Sequence, residues 1–266
     1  LAALVTSALI SGGAAAQTCG NDPGGFPGWL NAYKAKAAGQ GISAGTIASA
    51  LGGISYDTGV IRLDRGQRSF KLSFEEFYAR RAGPGLINRA KSKLAQHRAL
   101  LDSIEKRYGV PPAVIVSIWG LETNFGGDGG GNKPIVQSIA TLAYDCRRSD
   151  FFRTELDAAL RIIDKGEIAA SQMRGGWAGE IGPMQFLPSS FMKYAVDFDG
   201  DGRKNLFSSV PDMLASTANF LKSKGGWKAG QGWEPGSGNY AAIQEWNKAE
   251  VYARTISVMS AKVAGR

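Results

Sequence analysis

Histidine is almost missing from this 266-residue chain, which holds one, His97. A Ser-His-Asp triad or a Cys-His pair therefore has a single candidate base, set in a polar helical run with no nucleophile beside it. Cysteine is scarce as well: Cys19 and Cys146 are the two present, and with one histidine they do not make a zinc site. Lysine and arginine never run longer than a pair, so the net charge of +8 is spread out. That dispersal argues against a dedicated nucleic-acid binder and leaves anionic polymers such as bacterial cell wall, or anionic lipid, as partners. Beyond the first residues no apolar run approaches a membrane span, and no integral span is expected. A phosphate cradle is missing too. The glycines of residues 126–131 follow no strand and carry no Lys-Ser/Thr, so they read as a mobile loop.

What is present begins with LAALVTSALISGGAAAQTC, an apolar run followed by small residues. It reads as the remnant of a secretory signal over residues 1–16, cleaved near Ala16–Gln17. Export implies a periplasmic or secreted location, where Cys19 and Cys146 are expected to form a disulfide. Cys19 lacks the preceding Leu and small residue of a lipoprotein, so no lipid anchor is expected. A hydrophobic content of 44% supports one large, lobed domain over residues 17–266.

The pattern along the chain is mostly helical. Helices are predicted over Phe26–Ala38, Ser43–Leu51, Ile135–Ala143, Phe151–Ile163 and Ser189–Tyr194. Another starts at Phe74 and breaks at Pro84, and one through Leu94 and Ile104 closes at Gly109. Ile54–Phe70 is the best extended candidate, with Val60, Ile61 and Leu63 among polar residues. Residues 175–186, GGWAGEIGPMQF, read as tight turns around Gln185. The last helix, lined by Val251, Thr255, Val258 and Met259, is expected to open on an N-cap signature of Asn247 with Glu250.

Two stretches carry candidate chemistry. In VPPAVIVSIWGLETNFGG, residues 110–127, Glu122 follows Ile118 by one turn on an apolar stripe. Burial there raises a carboxyl pKa, which suits a general acid; a structural Glu paired with an Arg or a backbone N–H fits the residues as well. The two other acids in range, Asp128 and Glu180, both lie in glycine-rich loops. In DFDGDGRKNLFS, Asp197, Asp199 and Asp201 fall at loop positions one, three and five, Gly202 at six, and Arg203 offers its carbonyl. Position twelve is Ser208 and not the usual Glu, so closure of a calcium site over residues 197–212 depends on Asp212.

The segments VPPAVIVSIWGLETNFG, YDCRRSDFF, GGWAGEIGPMQFLPSSF, YAVDFDGDGRKNLF with SVPDMLASTANFLK, and NYAAIQEWNKAEVYA follow one another in this order. Together, from about Phe70 to the C-terminus, they resemble the lytic murein transglycosylase B family, glycoside hydrolase family 103. The resemblance implies a lysozyme-like, mainly α fold with a small β element and an EF-hand-like calcium loop, and a monomer acting on peptidoglycan glycan strands without an organic cofactor. It assigns Glu122 as a lone catalytic acid/base in a reaction that leaves a 1,6-anhydromuramic end. It places Gln185, Arg147, Arg148, Phe220, Trp246, Asn247 and Tyr252 along the substrate cleft, with Asp197, Asp199, Asp201, Arg203 and Asp212 around the ion. Two departures stand out: Gly176 where many relatives carry Ser, and Asp212 one residue later than the family's closing acid. A lysozyme-type muramidase and a non-catalytic wall-binding protein of the same fold are the alternatives.

Overall fold

Residues 18–66 and 72–266 are described by a computed structural model; the signal-like stretch 1–16 lies outside them. Near the start, α1 (Phe26–Gly39) and α2 (Ala44–Leu51) are separated by Gly41, whose φ of 86° only glycine adopts readily. The Ser43 hydroxyl caps α2 by accepting the Thr46 N–H.

The extended segment expected over Ile54–Phe70 instead carries a helix, α3 (Thr58–Arg65), after four irregular residues. Asp57 caps it by accepting the Val60 N–H at 3.0 Å, and Val60 and Asp64, one turn apart, are its buried residues. The short apolar run looked alternating, but an i, i+4 face with a cap is what it serves.

A capping box of Ser73 and Glu76 starts α4 (Phe74–Arg81). Two helices then stand where one was expected: α5 (Pro84–Gln96) and α6 (Arg98–Tyr108) break at His97, whose ring lies 5.9 Å from that of Trp119. The left-handed Gly109 closes α6.

The helix that organises the fold is α7 (Pro112–Thr123). It packs against α5 and α6 and, from later in the chain, α11 (Val210–Ser223) and α13 (Glu250–Val263). Eleven of its twelve residues are buried; Glu122 is the exception. The helix is therefore apolar all round, as a fully enclosed helix must be, and Glu122 is the one side chain that reaches solvent. Each buried Val or Ile contributes about 1.5–3 kcal/mol, which fixes the helix axis and the place of Glu122.

Around this centre run α8 (Ile135–Tyr144), α9 (Ser149–Asp164), α10 (Pro188–Tyr194) and α12 (Tyr240–Trp246). The β element is a ribbon of two short strands, β1 (Lys133–Pro134) antiparallel to β2 (Arg174–Gly175). Cys19 and Cys146 form the expected disulfide, with Cα atoms 4.9 Å apart, and Gly20 donates to the Tyr144 carbonyl beside it. Asn247 does not cap α13. Its Oδ1 accepts the Ala249 N–H, while the Glu250 carboxylate accepts from the Tyr240 hydroxyl and the Gln244 amide. Among the described residues no helix is long and apolar enough to cross a membrane.

Candidate active site

The end of α7 is built to aim Glu122 outward. Asn124 and Phe125 are both left-handed, with φ of 50° and 61°, and stop the helix before the glycines at 126 and 127. Phe125 then folds back on its own helix, and its ring comes so near Gly120 that a Cβ there would sit 2.8 Å from it. Thr123 ties the same end to the next glycine-rich segment by donating to the Pro183 carbonyl at 2.7 Å.

That segment, residues 175–186, makes a tight turn closed by paired hydrogen bonds between Ile181 and Phe186. Gln185 at its tip is also left-handed, with φ of 54°. Its amide donates to the carbonyls of Gly130 and Gly182, so residues 126–131, read as mobile from sequence, are anchored through it. The non-glycine residues with positive φ among those described are Asn124, Phe125 and Gln185, and all three adjoin Glu122. Such strain persists only where the surroundings enforce it.

Glu122 stands at the waist of a groove. One cavity of about 330 Å³ is lined by Glu122, Arg148, Gln185, Phe220, Trp246 and Asn247, among others. A second of about 300 Å³ lies on its other side, against Thr123, Asp128, Lys133 and Gly176. Glu122, Trp177 and Gln185 belong to both walls. The Trp246 indole N–H donates to Glu122 Oε1 at 2.8 Å. Its ring is held edge-to-face by Phe186 and Phe220 at 5.5 and 5.1 Å.

Tyr252 is buried behind Glu122 and its hydroxyl lacks a well-formed hydrogen bond. Burial and the adjacent Glu122 charge push its pKa well up, which keeps it a neutral phenol. Glu122 itself is pushed up to about 6 by burial, against the lowering effect of Trp246, Tyr252 and the Arg81 charge. A carboxyl raised to about 6 gives up and regains its proton readily near neutrality, which suits general acid/base work.

The arginine pair is divided. Arg147 and Arg148 both bond to the carboxylate of Asp64, which is only 2% exposed. Arg148 also reaches the main cavity wall, whereas Arg147 lines a neighbouring hollow with Cys19 and Cys146. Their partner sits more than eighty residues earlier, on the helix read as extended.

Several cleft residues were missed from sequence, among them Phe151, Phe186, Lys224 and Glu245. Trp177 faces both cavities, and Glu180, set aside as a loop acid, lines the same cavity as Glu122. An aromatic inside a glycine-dense segment was the available signal for Trp177.

In the acidic loop, oxygens of Asp197, Asp199 and Asp212 come within 4.8 Å of one another. Asp201 lies outside this set, its Oδ1 accepting the Arg203 N–H. Asp212 is fully buried and closes the loop by accepting from the backbone of Phe198, Asp199 and Asn205. Lys204, next to the loop, pairs instead with Glu167. Converging carboxylates, all hard oxygen donors, fit a hard divalent cation.

Residues 25–237 match the family model described as transglycosylase SLT domain. Membrane-bound lytic murein transglycosylase B of Escherichia coli (strain K12) is 39% identical over 137 residues, a stretch that is 51% of this chain and 37% of that protein. SltB3 from Pseudomonas aeruginosa, solved in complex with NAG-anhNAM-pentapeptide, is 31% identical over 90% of this chain and 80% of its own, with a TM-score of 0.83. Escherichia coli Slt35, solved in complex with calcium, shares the fold at 24% identity and a TM-score of 0.78, covering 93% of this chain and 96% of its own. A match that takes in most of the chain, with Glu122 and the glycine-rich turn inside it, leads to one assignment: the chain belongs to the transglycosylase SLT domain family.

Proposed function

We propose that this chain is an exported peptidoglycan lytic transglycosylase of the family 103 type. Residues 17–266 form its catalytic domain, and it cleaves the β-1,4 bond between N-acetylmuramic acid and N-acetylglucosamine. The observation that carries this reading is Glu122, a carboxyl with a pKa near 6 at the waist between two cavities. A polymer-cleaving site needs saccharide room on both sides of its acid, and this groove provides it.

In the proposed reaction Glu122 donates its proton to the glycosidic oxygen as the C1–O bond breaks. The resulting carboxylate takes the proton of the muramic C6 hydroxyl, whose oxygen closes onto C1. Glu122 ends protonated again, and no water enters the product. Trp246 N–H steadies the carboxylate phase between the two transfers, and the Phe186–Phe220 packing holds the indole in place. Gln185, Arg148, Phe220 and Asn247 are proposed to hold the glycan in the main cavity, with Tyr252 fixing Glu122 from behind and Arg147 supporting through Asp64. The named SltB3 complex supports a peptidoglycan fragment as ligand. Mass analysis of digested sacculi tests the reading: anhydro-muropeptides are expected, and ordinary reducing ends in their place would overturn it.

One observation favours the hydrolytic alternative. Glu180 gives the cleft a second carboxyl, as a lysozyme-type enzyme requires. The same product analysis separates the two.

We further propose calcium as a structural ion held by Asp197, Asp199 and Asp212. It would supply charge neutralisation that fixes the loop against α11, and no chemical step runs through it.

A further inference from the structure

Two large apolar side chains stay exposed among the described residues, Leu63 at 47% and Phe151 at 46%. A lone exposed Leu or Phe is ordinary on a protein surface. These two are not scattered. Leu63 lines the second cavity, Phe151 lines the main one, and Glu122 belongs to both.

Phe151 is held in its exposed place by what surrounds it. It falls in the first turn of α9 beside Phe152, which is 1% exposed and anchors the helix in the core. Successive side chains on a helix point about 100° apart, so burial of Phe152 turns Phe151 away from the core. The two rings meet edge to face with centroids 5.0 Å apart, and the Arg148 guanidinium lies 4.8 Å over Phe152. Asp64 fixes Arg148 in turn. Phe151 also lines the hollow that holds Arg147, so it marks the border where the main cavity gives way to that hollow. A ring at such a border can carry a ligand that continues past the cavity.

The charges of the walls narrow the ligand. Arg147 and Arg148 share Asp64, Arg153 faces Asp150 at 3.8 Å, and Lys224 faces Glu245 at 3.6 Å. On the other side of Glu122, Lys133 bonds to Asp57 at 2.9 Å, and Asp128 lies in that second cavity, away from Phe151. The cations of the walls each have an acidic partner within the protein, and Phe151 adds an uncharged aromatic surface. The C–H face of a pyranose, flat and neutral, is complementary to such a ring.

We propose that Phe151 is the stacking platform of a further saccharide subsite, beyond the sugars that flank the scissile bond, on which an N-acetylhexosamine ring of the glycan strand lies. This rests on the reading of the groove as a peptidoglycan cleft. A strand long enough to reach Phe151 is held by one more ring than a shorter one.

The test is kcat/KM of the whole protein on soluble peptidoglycan oligosaccharides of increasing length. Wild type is expected to gain with length. In Phe151→Ala the longest strands are expected to lose about three- to tenfold, mainly through KM, and the loss to shrink as the strand shortens. Phe151→Trp should keep the length dependence, and Phe151→Leu, apolar without a π face, should lose it. Because the side chain is exposed, F151A is expected to melt with the wild type. A length dependence unchanged in F151A, or an equal loss at every length, overturns the proposal. If the wild type yields no anhydro products the functional reading fails, while calorimetry with N-acetylglucosamine oligomers still decides the subsite. There E122Q protein should bind long oligomers more tightly than the E122Q/F151A protein does, and equal affinity overturns the platform.

Discussion

Glu122→Gln is expected to lose roughly a thousandfold or more of its cleavage rate while becoming more stable than the wild type at neutral pH. The rate loss follows because both proton transfers run through one group, and each general acid or base step is worth about 10²–10⁴-fold. The stability gain follows from linkage. Glu122 is raised from 4.5 to about 6 in the folded protein, so between those values the folded chain keeps a proton that the unfolded chain has given up. That contribution is complete below pH 4.5 and is lost as pH rises through 6, where a partly buried charge must be carried. A shift of this size is worth up to about 2 kcal/mol, less whatever solvent in the groove screens. Glutamine keeps the acceptor for Trp246 N–H and carries no charge. Melting curves should therefore separate the two proteins by a few degrees at pH 8 and bring them together at pH 4. Equal melting at both pH values would mean that burial does not penalise the Glu122 charge.

Asp212→Ala is expected to be the most destabilising single change in the acidic loop. The carboxylate is fully buried and accepts three backbone N–H groups, from Phe198 and Asp199 on one oxygen and Asn205 on the other. Alanine leaves those donors without a partner, at about 1–3 kcal/mol for each that stays buried. The residue also sits in the first turn of α11, where its charge is favoured by the helix dipole and where Ser209 caps by accepting its N–H. A total near 3 kcal/mol or more corresponds to a fall in melting temperature of about 6–12 °C. Calcium is expected to raise the melting temperature of the wild type relative to chelator, and to have no effect on D212A. Asp201→Ala, whose carboxylate lies outside the converging set, should keep the calcium response. A wild type that melts identically with calcium and chelator would remove the ion from the account.

The contrast between what sequence did and did not reveal has a physical pattern. Glu122 was legible because an acid among Val, Ile and Trp on one short helix is a local anomaly, although the helix proved apolar all round and not striped. The disulfide was legible from scarcity and context. The Asp197–Asp199 spacing was legible as well, whereas the three backbone donors of Asp212, which tie the loop to α11, were not. The break at His97 and the unformed Asn247 cap are local misreadings, whereas the larger failures involve partners far apart in the chain. Helix α3 looked extended because the reason for its buried Asp64 lies with Arg147 and Arg148, on the far side of α8. Trp177 and Glu180 become cleft residues only when the turn of residues 175–186 is folded against the end of α7. Periodicity reports which face of an element is buried, and it carries no information on which distant segment supplies the wall.

The most direct test of the central claim is where the oxygen of the cleaved end comes from. Peptidoglycan digested by the wild-type protein in heavy-oxygen water should yield muramic ends without label, because the sugar's own C6 hydroxyl closes onto C1 after Glu122 has moved the protons. Incorporation of one heavy oxygen at C1 would contradict the account, and would show that water, activated by a second carboxyl of the cleft, performs the attack.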